Sequence, residues 1–228
     1  MTDEDLPEKY RLSSRYGKAL KWAAELHVGQ ARKGTTIPYV SHVLAVSGLV
    51  LEHGGSEDQA IAGLLHDAIE DCGVSEEEIE ARFGPVVAQI VVACSDTDED
   101  PKPPWLERKE AYLAHLPAVD ADVLLVSLAD KLHNVRTLAE DLKRDGEVTL
   151  ERFRGGSEGT RWYYRRLLDV YQARKSELPP DEVVEDNLDR PGGPGLLREM
   201  RIAVRRIGAT AEVAAAFEAG RRLAVAHR

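Results

Sequence analysis

Along this chain, apolar residues recur at spacings of three and four far more often than they alternate. Between Ser14 and Gln30, "SRYGKALKWAAELHVGQ" sets Ala19, Trp22, Ala23 and Leu26 on one face of a 3.6-residue period. Gly29 and the following "RKGTTIPY" end that pattern, with Pro38 forcing an extended approach at Ile37. A second helix is predicted from about Ser41, carrying Val43, Val46, Leu49 and Val50 before "HGG" stops it. Ser56, followed by two acids, reads as the N-cap of a third helix through Ala60, Ile61, Leu64 and Leu65. Ser75 opens a fourth, "SEEEIEARFG", with Glu78 placed as in a capping box.

The polar, proline-rich "SDTDEDPKPPWLE" predicts a loop, and "LERKEAYLAHL" a helix after it. A longer helix, from about Asp120 to Asp141, is apolar on nearly every side around Leu124 to Leu128, which marks it as central. "GGSEGT" predicts a break before the amphipathic "RWYYRRLLDVYQARKSELPP", and "RPGGPG" reads as a linker before one or two last helices. With no internal repeat and no convincing strand pair, the chain is expected to be all-α. Residues 1–177 are expected to form the core and 178–228 a linker and C-terminal helical extension. Three readings of that extension stay open: a cover over the core, a partner contact, or a surface for homo-oligomers.

Composition narrows the function. The 228 residues carry a formal charge of -10, which disfavours a duplex held through its phosphates, so no DNA or RNA partner is expected. A nucleotide needs only a local basic patch, about which total charge says nothing. The apolar share of 43% is that of a folded globular protein. The two cysteines, Cys72 and Cys94, make neither a disulfide framework nor a CxxC site. An acidic N-terminus without an apolar h-region, and no apolar run near the roughly 20 residues that span a bilayer, point to the cytoplasm and away from membranes.

The candidate chemistry starts at "LLHDAIED", where His66, Asp67, Glu70 and Asp71 crowd two helical turns. On a continuous helix the spacings of three and four bring all four toward one broad face, and crowded carboxylates there need a cation, a proton or a donor. In "ADKLHN", Asp130 precedes His133 by three residues and Asn134 by four on the helix expected to be buried, where an unbalanced charge is costly. His42 stands at the start of its own helix. Taken singly, each has an ordinary explanation: a core histidine, an Asp130 paired with Lys131 or Arg136, helix-end acids. Together, His42, His66, Asp67 and Asp130 form a mixed nitrogen and oxygen set suited to a divalent ion such as manganese, zinc or iron.

"HVGQARKGTTIPYVSH", "AGLLHDAIEDCG", "EARFG" and "VSLADKLHNVRTL", in that order, resemble the HD-domain hydrolase module of the RelA/SpoT-like proteins over about residues 14 to 175. The chain most resembles the small stand-alone alarmone hydrolases. The resemblance implies an all-α HD-domain fold and Mn2+-dependent removal of the 3′-pyrophosphate of ppGpp or pppGpp, giving GDP or GTP and pyrophosphate. It implies one ion, with other divalent ions possible, held by His42, His66, Asp67 and Asp130. Glu70 and Asp71 match the acids that orient or activate water, Glu70 being the more direct participant. Arg32, Lys33, Asn134 and Thr137 match residues of the nucleotide pocket. "LERK" could bring Arg108 or Lys109 near the polyphosphate, and Tyr163 or Tyr164 could close the pocket. His27 is expected to be structural. Three alternatives stay open: an adenosine alarmone, another 3′-phosphorylated nucleotide, or nucleotide sensing without turnover.

Overall fold

A computed structural model describes residues 11–97, 101–179 and 195–226, with side chains as far as residue 222. Among these residues there is no strand, only an isolated bridge between Ala31 and Pro38 that closes the loop after the first helix. The helices are α1 (Ser14–Leu26), α2 (Val40–Glu52), α3 (Glu57–Leu65), α4 (Ala68–Cys72), α5 (Glu76–Phe83), α6 (Pro85–Cys94), α7 (Trp105–His115), α8 (Ala121–Asp145), α9 (Val148–Glu151), α10 (Gly156–Ala173), α11 (Leu196–Arg206) and α12 (Ala211–Ala226). The all-α expectation holds.

The capping chemistry is as local as the sequence suggests. Ser56 accepts from the Gln59 N–H while the Gln59 side chain accepts from the Ser56 N–H, a reciprocal box that also carries Glu57 and Asp58 in the first turn. At Ser75 only half of the expected box forms: the hydroxyl accepts from the Glu78 N–H, but the Glu78 carboxylate turns outward to Arg82 one turn on. An exposed ion pair with an arginine one turn on competes there for the carboxylate.

α8 is the axis of the fold. Leu124, Val126, Leu128, Ala129, Leu132 and Val135 on it are wholly buried, and α2, α3, α6 and α11 pack around them. The α2–α3 pair approaches closely because Gly63 lies against Ser47: a Cβ on Gly63 would meet the Ser47 Cα at 3.1 Å. Ser47 itself donates to the Ala60 carbonyl, tying the two helices by a buried hydrogen bond. α6, whose positions are apolar on nearly every side, does not stand out by periodicity and is found buried against α3, α5 and α8.

α11 lies on α8 and α12 on α10, so Leu196, Leu197, Met200, Val204 and Ile207 join the same hydrophobic cluster as the preceding helices. The linker expected at "RPGGPG" lies outside the described residues except for Gly195. No described helix is long and apolar enough to cross a membrane.

Candidate active site

The cluster at "HDAIED" is built by a break. α3 ends at Leu65, His66 keeps helical angles, and Asp67 (φ -100°, ψ 2°) leaves them before α4 restarts. The continuous helix expected through residue 71 is therefore corrected. A straight helix sets adjacent side chains about 100° apart, whereas this junction lets His66 Nε2 and Asp67 Oδ2 meet at 2.9 Å.

Two helices and the junction converge on one point. His42, from α2, brings its Nε2 to 3.2 Å from His66 Nε2, 3.6 Å from Asp67 Oδ2 and 3.2 Å from Asp130 Oδ1 of α8. Asp130 Oδ1 lies 3.5 Å from His66 Nε2. Ligand atoms of His42, His66 and Asp67 all fall within 4.8 Å of one another. The His66 Nδ1 faces the Gly63 carbonyl at 2.9 Å, so it carries a hydrogen, and in the neutral ring the Nε2 lone pair faces His42. Two imidazole nitrogens presented to each other between two carboxylates are a donor set that fits a divalent cation.

The carboxylates and imidazoles of the cluster shift one another's protonation. Burial opposes a charge on His66, but Asp67 and Asp130 outweigh it and raise its pKa well above the usual value. Burial likewise opposes the Asp67 carboxylate, and His66 more than offsets it, holding the pKa low. His42 is pushed down, chiefly by burial. Asp130 has a further partner, for Lys131 Nζ donates to its Oδ2 at 2.7 Å. The ordinary explanation for Asp130 and its place in the cluster thus hold together, while Arg136 pairs with Glu199 instead.

The cluster opens onto a cavity of about 460 Å3 lined by every remaining sequence-predicted site residue: Arg32, Lys33, Glu70, Asp71, Asn134 and Thr137. Arg32 donates to Asn134 Oδ1 at 2.8 Å, and Asn134 Nδ2 donates to Asp130 Oδ1 at 2.5 Å, which links the loop before α2 to the cluster. Lys33 sits over the Phe153 ring, and burial, then Arg154 and Arg152, lower its pKa. Arg108, Lys109, Tyr163 and Tyr164 also line the cavity. His27 is buried outside it, its Nδ1 on Gln30 and its ring against Tyr39.

Several lining groups escaped the sequence reading. Tyr39 donates to Asp67 Oδ2 at 2.5 Å, and its position three residues before His42 was the available signal. Lys102 reaches Glu70 Oε1 at 3.0 Å and Asp71 Oδ1 at 3.3 Å from the proline-rich segment, where no periodicity points to it. Burial, then the Asp67 and Glu70 charges, raise the Asp71 pKa. Asp96, two residues past α6 and with its side chain 5% exposed, accepts from Arg108 at 2.8 Å and from Lys109, and Arg108 in turn lies 3.5 Å from Glu70. Arg152 and Arg154 add cations beside Lys33.

A sequence model of the HD domain matches residues 19–153. The guanosine-3′,5′-bis(diphosphate) 3′-pyrophosphohydrolase MESH1 of Xenopus tropicalis is 42% identical over 130 residues, 56% of this chain and 69% of that protein. A probable guanosine-3′,5′-bis(diphosphate) 3′-pyrophosphohydrolase of Synechocystis is 39% identical over 126 residues, 53% of this chain but only 16% of its own length. A solved structure, described as a metazoan ortholog of SpoT that hydrolyzes ppGpp, superimposes with a TM-score of 0.65 at 27% identity, covering 88% of this chain and 99% of the other.

Proposed function

Since the chain belongs to the HD-domain family, we propose that it hydrolyses the 3′-pyrophosphate of guanosine alarmones, converting ppGpp or pppGpp to GDP or GTP and pyrophosphate, with Mn2+ as its ion. The observation that carries this reading is the meeting of two imidazoles and two carboxylates beside a cavity lined with both acids and cations. The small relative it matches over two thirds of that protein's length carries this activity in its name. The cytoplasm is the compartment we infer, in keeping with two unpaired cysteines.

His42, His66, Asp67 and Asp130 would hold the ion, which when bound supplies Lewis-acid activation of water and neutralises phosphoryl charge. Glu70 takes the proton of the attacking water, and Asp71 beside it helps hold that water in line with the leaving 3′ oxygen. The bond broken joins the ribose 3′ oxygen to phosphorus; the water oxygen leaves in pyrophosphate and the 3′ oxygen gains a proton. Arg32 offers a flat cation to the purine, and Lys33 a point charge to phosphate. Asn134 and Thr137 line the nucleotide side of the cavity. Lys102 and Arg108 reach Glu70, and with Lys109 they offer cations to the charged pyrophosphoryl group that is transferred to water.

The test is incubation of the purified chain with ppGpp, with and without Mn2+, resolving products by anion-exchange chromatography. Metal-dependent appearance of GDP and pyrophosphate is the expected result. Intact ppGpp in the presence of metal-loaded protein would overturn the reading and direct the assay to other 3′-phosphorylated nucleotides.

A further inference from the structure

The residues after 195 pack on α8 and α10, and α12 reaches through α10 and one ion pair to α7, the helix that carries Arg108 and Lys109. Trp105 opens α7, and Arg108 and Lys109 follow it by three and four residues, on the same face. The indole lies against the start of α10, where two glycines make room for it: a Cβ on Gly155 would meet the Trp105 ring at 2.6 Å, and one on Gly159 at 3.2 Å. "GGSEGT", expected as a break, is thus the seat of Trp105, with α10 beginning inside it at Gly156.

Behind that seat stands α12. Trp105 meets Trp162 edge-on with centroids 6.4 Å apart, and Trp162 stacks against Phe217 of α12 at 5.2 Å. Glu218 accepts from the Trp162 indole N–H at 3.2 Å. Arg221 lies over the Trp162 ring and pairs with Glu110 of α7. Two links therefore run from α12 to α7, one aromatic and one ionic, and they arrive on either side of Arg108 and Lys109.

We propose that α12 is a working part of the site: through Phe217, Trp162 and Trp105 it fixes the first turn of α7, so that Arg108 and Lys109 present a pre-set anion seat beside Glu70. Trp105 and Phe217 are positioning residues, acting through the cations they hold in place. The proposal rests on the reading of this cavity as a polyphosphate site. Preorganised donors of this kind lose strength steeply when misplaced by an ångström.

The experiment perturbs Trp105 from both sides in the full chain, metal-free for the Mn2+ titration and Mn2+-loaded for the pyrophosphate titration. Gly155→Ala forces the indole away, and since Gly155 has an ordinary backbone (φ -77°) the alanine itself is tolerated. Phe217→Ala withdraws the support behind Trp162, Phe217→Leu restores most of it, and Gly220→Ala on α12, with open space around its Cβ, is the control. Titration calorimetry measures Mn2+ and inorganic pyrophosphate separately, with circular dichroism on each variant.

The expected result is a loss of about tenfold in pyrophosphate affinity for both disruptive variants, the worth of one charge-assisted hydrogen bond, with Mn2+ affinity unchanged and the leucine and control variants close to the parent. If one disruptive variant fails to fold, the other carries the comparison. Parental pyrophosphate binding in the folded variants would overturn the proposal, as would a parallel loss of Mn2+, which signals general loosening. A parent that leaves ppGpp intact while the variants still lose pyrophosphate would sink the proposed reaction and support the α12 device.

Discussion

His133 stands behind the cluster, and its removal is the most informative single change. Its Nδ1 lies 2.8 Å from the Nδ1 of His42, whose Nε2 faces His66 and Asp130. For His42 to offer a lone pair through Nε2, its Nδ1 must carry the hydrogen, so His133 Nδ1 must accept it. His133 can do so at neutral pH: burial, then the charges of His42 and Arg32, lower its pKa to about 4, which keeps it uncharged. The hydrogen bond therefore fixes both the tautomer and the tilt of a ligand ring. Truncation in His133→Ala removes one part-buried hydrogen bond, about 1–1.5 kcal/mol net, or roughly tenfold in affinity, within the 10- to 100-fold range for groups that orient metal ligands. The assay is Mn2+ titration calorimetry on the Ala and Gln variants. Glutamine supplies an acceptor oxygen and is expected to recover most of the loss. A folded Ala variant that binds Mn2+ as tightly as the parent would refute the reasoning and leave His42 oriented by packing against Tyr39 and His66 alone.

Three further outcomes follow from the same geometry. Asp67→Ala, which removes one of the converging carboxylates, is expected to abolish Mn2+ binding in calorimetry while far-UV circular dichroism keeps its helical signal. Glu70→Gln is expected to keep Mn2+ and lose about 10²- to 10⁴-fold in turnover of ppGpp, the usual worth of a general base; full turnover would move that role to Asp71. Asp96→Asn strips Arg108 and Lys109 of their buried carboxylate and is expected to cost about 3–5 kcal/mol at pH 7 in urea unfolding. Burial opposes the Asp96 charge, but Lys109 and Lys131 outweigh it and hold its pKa below the ordinary 3.8. A depressed carboxyl stabilises the fold above its unfolded value and loses that contribution as pH falls through its folded value. The gap between parent and variant should therefore be full above about pH 4 and close below 3.8; a gap constant down to pH 2 would refute the pairing.

How much of this was legible in the sequence depended on whether one residue alone carried the signal. His66, Asp67 and Asp130 announce themselves because charged groups at apolar helix positions are costly without a partner. The way His66 and Asp67 meet was hidden, since a break between two residues leaves the three-and-four spacing of "HDAIED" untouched. Lys102 and Asp96 lie in or beside a polar, proline-rich stretch where solvent and site would be written with the same residues. The glycines at 155 and 159 read as a break because spacing cannot tell absent side chains that end a helix from absent side chains that admit an indole. Only the position of Trp105, fifty residues earlier in the chain, makes the difference.

The electrostatics join these observations. The chain as a whole is strongly acidic, yet its cavity gathers eight lysines and arginines against six carboxylates. The carboxylates are not spread among the cations at random: Asp67 and Asp130 belong to the histidine cluster, Asp96 holds Arg108 and Lys109, and Asp141 holds Arg152. Each paired acid fixes the direction of a cation that would otherwise swing on a long side chain, which is a larger gain for recognition than the neutralised charge is a loss. Beyond about 8 Å at physiological salt the field of the paired groups is screened, so a polyanion meets an acidic exterior and finds attraction only inside. On the proposed reaction, such an arrangement suits a small, multiply phosphorylated ligand that enters the cavity, and it reconciles a chain charge of -10 with a cavity rich in lysine and arginine.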